Sequence, residues 1–138
     1  MKRYLTLLIA LVSLASCSAP KDGDYTIHLL TTNDVHGRYF DSLYVSNSVR
    51  PSLVSVSAYV DSLRNVWGQE NIVLLDAGDC LQGDNASFYY NFIDTTSTHL
   101  FARMVDYIGY EAVIVGNHDI ETGHRVYDRV RKDMKTPF

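Results

Sequence analysis

Apolar positions along the chain alternate between short unbroken runs and longer helical repeats. Tyr25–Thr31, Ile72–Leu75 and Ala112–Val115 are short and strand-like. The second and third are continuously apolar, which suits strands covered on both faces, as parallel strands are. Between them, Val56, Tyr59, Val60, Leu63 and Val66 recur at helical spacing. Pro51 suits the first turn of that helix and Gly68 its end. Leu100, Met104, Val105 and Ile108 mark a second helix, with Ser97 or Thr98 as cap and Gly109 as terminator. Val126, Tyr127, Val130 and Met134 share one face of a third, with Arg125, Arg129 and Arg131 among its polar positions. Polar loops are expected over Gly37–Arg50 and Gly83–Thr96. The order β-α-β-α-β-α predicts an α/β fold with parallel strands and right-handed crossovers. Three helices fall short of covering both faces of such a sheet. The chain therefore reads as the front part of a larger protein, its sheet incomplete at the C-terminal end.

The N-terminus follows a different pattern. Lys2 and Arg3 precede an apolar stretch, Leu5–Leu14, that is too short to span a bilayer, which takes ~20 residues. It ends in Leu14-Ala15-Ser16-Cys17, which resembles the lipobox of bacterial lipoproteins. That resemblance implies cleavage before Cys17 and lipidation of its thiol, anchoring the protein in the bacterial cell envelope, facing the periplasm or the outside. An ordinary secretory leader is the other reading. The expected organisation is a signal peptide over 1–16, a tether over 17–24 and one domain over 25–138. Acylation of Cys17 would leave Cys80 alone, so no intrachain disulfide is expected. Cys80 reads as a buried small residue.

Composition is that of a globular protein, 46% hydrophobic and 20% charged, with ten tyrosines. The formal net charge is −4 and no basic stripe is visible. That argues against binding a nucleic-acid polymer. An acidic chain that handles phosphate needs metal ions to do so.

Each strand-like run ends in a polar motif. Asn33-Asp34-Val35-His36-Gly37 follows the first, Gly78-Asp79 the second, and Gly116-Asn117-His118-Asp119 the third. The carboxyl edge of an open parallel sheet is where ligands bind. Asp34 and His36, one residue apart, can aim carboxylate and imidazole at one divalent ion. An Asx-turn beside a surface histidine is the alternative. Asp79 has two oxygens and can bridge two ions ~3.5–4 Å apart; a capping or turn aspartate is its other reading. Asn117 offers a neutral amide oxygen. His118 can act as a general acid, protonating a leaving alkoxide, with Asp119 or Glu121 behind it to fix its tautomer.

Taken in order, Asp-x-His, Gly-Asp and Gly-Asn-His-Asp resemble the calcineurin-like metallophosphoesterases. Within them the resemblance is to bacterial 5′-nucleotidases and 2′,3′-cyclic-nucleotide phosphodiesterases, and it runs from about Ile27 to Tyr127. Gln82-Gly83 leans towards the cyclic phosphodiesterases. The resemblance implies a metallophosphoesterase-type core, with Asp34 and His36 on one metal, Asp79 bridging, Asn117 on the second, and His118 catalytic. It implies two divalent ions, manganese, zinc, iron or similar, and a nucleotide or related phosphoester as substrate. The family often places an aspartate three residues after the catalytic histidine, where this chain has Glu121. His28, His99 and His124 match no ligand position and read as structural or exposed. The family's later histidine ligands and its substrate domain are not found in the 138 residues. Four ligand residues then suggest poor turnover by this stretch alone, and a truncated, non-catalytic, lipid-anchored domain is the alternative function.

Overall fold

A computed structural model describes residues 22–42 and 48–138. The expected leader, the lipidation site Cys17 and the first part of the tether lie outside the described residues, as does 43–47 of the first loop. Three parallel strands form one sheet: β1 (His28–Thr32), β2 (Ile72–Asp76) and β3 (Ala112–Val113), in the order β1-β2-β3. His28 pairs with Ile72 and Thr32 with Asp76, and Leu75 then pairs with Ala112. The connections carry α1 (Leu53–Trp67), α2 (Asn85–Phe88) and α3 (Leu100–Ile108); α4 (Asn117–Glu121) and α5 (His124–Asp133) follow β3. The α/β class and the parallel order agree with the sequence.

Several boundaries moved, each for a local reason. β1 begins at His28 rather than Tyr25, because its pairing with β2 starts at His28 and Ile72, and β2 itself begins only after a 3-10 turn, Gln69–Asn71. Pro51 stands one residue before the cap of α1. Ser52 is that cap, accepting the Ser55 N–H at 3.3 Å. His99, not Ser97 or Thr98, caps α3, because Ser97 is committed to the Asp94 carboxylate through both its N–H and its hydroxyl. The second expected loop contains α2, which opens into a π turn over Tyr89–Ile93. β3 is short because a bulge interrupts it. The N–H groups of Glu111 and Ile114 reach the carbonyls of Leu74 and Asp76, so three steps on β3 match two on β2. Gly109 ends α3 in the left-handed conformation at φ 79°, as its position predicted.

Strands in sequential order, joined by crossovers of one hand, carry their helices on a single face. Leu74 and Val113 of the sheet are buried there with Leu53 and Val60 of α1. Phe101, Val105 and Ile108 of α3 join them, with Val126 and Val130 of α5. The apolar strands ask for cover on both faces, which three helices were expected to fall short of supplying. Among the described residues the other face stays open, and Leu29 and Ile114 on it are 62% and 61% exposed. Tyr39 and Leu81, both fully buried, plug the core beneath the loops at the carboxyl edge.

Candidate metal centre

The three loops at this edge are stitched together through their backbones. Asp34 N–H donates to the Gly78 carbonyl (3.1 Å), His36 N–H to Asp79 (2.8 Å) and Gly37 N–H to Cys80 (3.1 Å). Two glycines let the second and third loops touch. A Cβ on Gly78 would lie 2.5 Å from the Gly116 nitrogen, and one on Gly116 would lie 2.1 Å from an Asp79 carboxylate oxygen. No larger residue fits at either position. Among the described residues, three non-glycine residues have positive φ: Asp34 (53°), His36 (47°) and Asp79 (61°). All three are residues expected to bind metal. The left-handed region disfavours side chains, and strain of this kind gathers at functional sites.

The side chains follow from this backbone. Asp79 Oδ1 accepts the His118 N–H at 2.8 Å, tying the carboxylate to the start of α4. His36 Nδ1 lies 3.3 Å from the Gln82 carbonyl, which fixes its proton there and frees Nε2. Nε2 is 3.5 Å from Asp34 Oδ1. The His36 and His118 rings meet edge-on, 5.2 Å apart. Ligand atoms of His36, Asp79 and His118 lie within 4.8 Å of one another. His118, expected as the acid, thus stands within the cluster. Asp34 adjoins it through His36 and is more exposed. Asn117 is the exposed first residue of α4, between Gly116 and His118. Carboxylate oxygens with a free imidazole nitrogen suit a borderline divalent ion such as manganese, zinc or iron.

His118 Nδ1 is 3.0 Å from Glu121 Oε2. Hydrogen bonding to that carboxylate, then its charge, raises the His118 pKa above the ordinary value, and the same bond lowers that of Glu121. Of the two acidic candidates behind His118, Glu121 makes the contact. Asp119 is turned away and wholly buried. Its Oδ1 accepts N–H bonds from Cys80 (2.8 Å) and Leu81 (2.7 Å), and its Oδ2 from Asp79 (2.9 Å) and Gly116 (2.8 Å). This carboxylate ties the second loop to the third, a role the sequence reading did not assign. Asp119 stands three residues after Gly116, and that spacing pointed only to its bond with the Gly116 N–H, the return half of a capping box.

A second buried acid was also missed. Asp76, 1% exposed, accepts bonds from Thr32 Oγ1 (2.5 Å), Gly78 N–H (2.9 Å) and the Cys80 thiol (3.1 Å). Burial pushes its carboxyl pKa up, against those hydrogen bonds, and pushes the Cys80 thiol up as well. Cys80 is a buried packing residue, as its sequence context suggested. The other histidines stand apart from the centre. His28 stacks on Trp67 at 3.8 Å, His124 is exposed, and His99 is buried against Asn91.

No protein-family model matches the chain. Protein UshA(0) of Salmonella typhimurium, described as silent, is 32% identical over 136 residues, 97% of this chain and 23% of its own length. Human 5′-nucleotidase is 29% identical over 140 residues, 96% of this chain and 22% of its own. The solved calcineurin-like phosphoesterase YfkN of Bacillus subtilis superposes with a TM-score of 0.69 at 25% identity, covering 80% of this chain and 35% of its own. In sequence and in fold the chain is similar to 5′-nucleotidases and calcineurin-like phosphoesterases. It spans about a quarter of the length of the curated relatives it matches.

Proposed function

We propose that this chain contributes the metal centre and the leaving-group acid of a metal-dependent phosphoester hydrolase acting on nucleotides, of the 5′-nucleotidase or 2′,3′-cyclic phosphodiesterase type. The observation that supports it most is the convergence of His36, Asp79 and His118 within 4.8 Å, at the carboxyl ends of successive strands. The 5′-nucleotidase among the relatives supports the nucleotide class.

Asp34, His36, Asp79 and Asn117 would hold two divalent ions, with Asp79 between them. When bound, such ions polarise the phosphoryl group and acidify water. The chain's own groups do the rest. Asp79 is braced by the His118 N–H, so its free oxygen keeps one position. His36, with its proton held on Nδ1, offers Nε2 to the centre. Glu121 keeps His118 protonated to a higher pH than an ordinary histidine. His118 then gives its proton to the departing alkoxide, and Glu121 offsets the charge while the proton is held. Cleavage before Cys17 and its lipidation would hold this centre at the cell envelope. Among the described residues, no helix is long and apolar enough to cross a membrane.

The test is hydrolysis of bis(4-nitrophenyl) phosphate with added manganese. Four ligand residues predict a low rate that chelation abolishes. Asp79→Asn should abolish it too, and His118→Ala should lower it ~10²–10⁴-fold. A rate indifferent to chelator and to Asp79→Asn would contradict the proposal.

A further inference from the structure

The buried pair Asn91 and His99 has no part in the chemistry above, yet its hydrogen bonds lead to the metal centre. Asn91 is the buried residue of the π turn, Tyr89–Ile93. Tyr89, Phe92 and Ile93 of the same turn are exposed. Here the wide turn aims a carboxamide into the protein, and turns of this kind are frequent at functional sites.

His99 decides which way that carboxamide points. Burial holds His99 neutral, its pKa lowered to about 4, so one ring nitrogen donates and the other accepts. The Phe101 N–H donates to Nδ1 at 3.2 Å. The ring proton is therefore on Nε2, which lies 2.9 Å from Asn91 Oδ1. With its oxygen turned to His99, Asn91 presents its NH2 to the Leu81 carbonyl, at 2.6 Å. His99 is in turn rooted in α5, where Asp133 accepts its backbone N–H at 2.8 Å.

The bond from Asn91 completes the clamp on Leu81. Asp119 accepts the Leu81 N–H at 2.7 Å, and Asn91 holds the Leu81 carbonyl. Gln82 comes next, and its carbonyl is the one 3.3 Å from His36 Nδ1. Gly83 follows against the His36 backbone, where a Cβ would lie 2.6 Å from the His36 carbonyl oxygen. A buried carbonyl needs only some donor. At Leu81 the donor is a directional chain of two side chains anchored on α3 and α5. A fixed Gln82 carbonyl keeps the His36 proton on Nδ1. A loose one would let that proton move to Nε2, the atom that should face the ion.

We propose that Asn91, oriented by His99, is a positioning residue for the metal centre: by fixing the Leu81 carbonyl it aims the Gln82 carbonyl at His36 and keeps Nε2 of His36 free for the ion. The assignment rests on the phosphoesterase reading. It adds to it two residues from outside the strand-end motifs.

The test uses the full chain with its histidine ring nitrogens labelled, above the histidine titration range, and zinc alone as the probe. In the wild type the Nδ1–H form of His36 should dominate, and zinc should move its Nε2 resonance. Asn91→Asp has the same volume and keeps the His99 contact, but gives the Leu81 carbonyl no donor. In it the ratio of Nδ1–H to Nε2–H forms of His36 should fall about fivefold, as loss of one hydrogen bond allows. Zinc affinity should fall about tenfold, the lower part of what loss of an outer partner costs. His99→Leu should act in the same direction. His99→Gln, whose amide can still donate to Asn91, should restore both readings. A dominant Nε2–H form of His36 in the wild type overturns the proposal without any variant. So does an Asn91→Asp protein that keeps the wild-type circular dichroism spectrum, His36 ratio and zinc affinity, even if its urea midpoint is lower, since Asn91 is then a structural tie only. In both cases a zinc shift at His36 leaves the metal reading standing. If zinc leaves His36 of the wild type unmoved, that reading falls and takes the proposal with it.

Discussion

Asp119→Ala should unfold the site without removing any residue expected to touch metal or substrate. The Asp119 carboxylate receives four backbone N–H groups, from Asp79, Cys80, Leu81 and Gly116. A hydrogen bond to a charged group contributes about 1.5–3 kcal/mol, so the gross loss is about 6–12 kcal/mol. Water can replace part of it, because the Asp79 and Gly116 bonds are only partly buried. The Cys80 and Leu81 N–H groups are buried and would stay unsatisfied. A net cost of about 3–5 kcal/mol follows, a large share of a domain's usual ~5–15 kcal/mol. At a urea slope of ~2 kcal/mol/M, the unfolding midpoint should fall by about 2 M. Asp119→Asn should recover at most half of this, since its single oxygen serves two donors and its NH2 faces the other two. A midpoint shift below ~0.5 M for Asp119→Ala, at unchanged slope, would refute the role assigned to this carboxylate.

Other outcomes follow from the same structure. The raised pKa of His118 means that turnover should hold above the ordinary histidine range and fall only as that proton is lost, and Glu121→Gln should move the alkaline limb of the pH–rate profile to lower pH. His99 is buried and its pKa is lowered to about 4, mainly by desolvation and then by Arg129. Its contribution to stability is therefore complete above ~6.5 and declines as pH falls towards 4, by up to about 3 kcal/mol. Urea unfolding at several pH values should show this loss, and His99→Gln should flatten it. A fatty-acid analogue should label the expressed protein, and Cys17→Ser should abolish the label.

Much of this was legible in the sequence because it rests on short-range rules. Apolar runs bounded by glycine gave the strands and the ends of α1 and α3, and the motifs fall where a parallel sheet presents its carboxyl edge. The roles of Asp119 and Asp76 were not legible, because they depend on which backbone N–H groups lie near a side chain after folding. Nor was the choice of Glu121 over Asp119 behind His118. In α4 those two residues point in different directions, one into the core and one along the surface. The cap of α3 was misplaced because Asp94 claims Ser97, a local competition that helix preference alone does not resolve. The open sheet face was anticipated, because strand hydrophobicity reports a demand for cover on both faces and three helices were too few to meet it.

The central claim is that three separate strand-end loops build one metal centre, and calorimetric titration of the chain with manganese measures it most directly. The wild type should bind with protein ligands from all three loops, so His36→Ala, Asp79→Asn and Asn117→Ala should each weaken binding at least about tenfold, as loss of a ligand does. His36→Ala, Asp79→Asn and Asn117→Ala proteins that fold and bind manganese as tightly as the wild type would contradict the account.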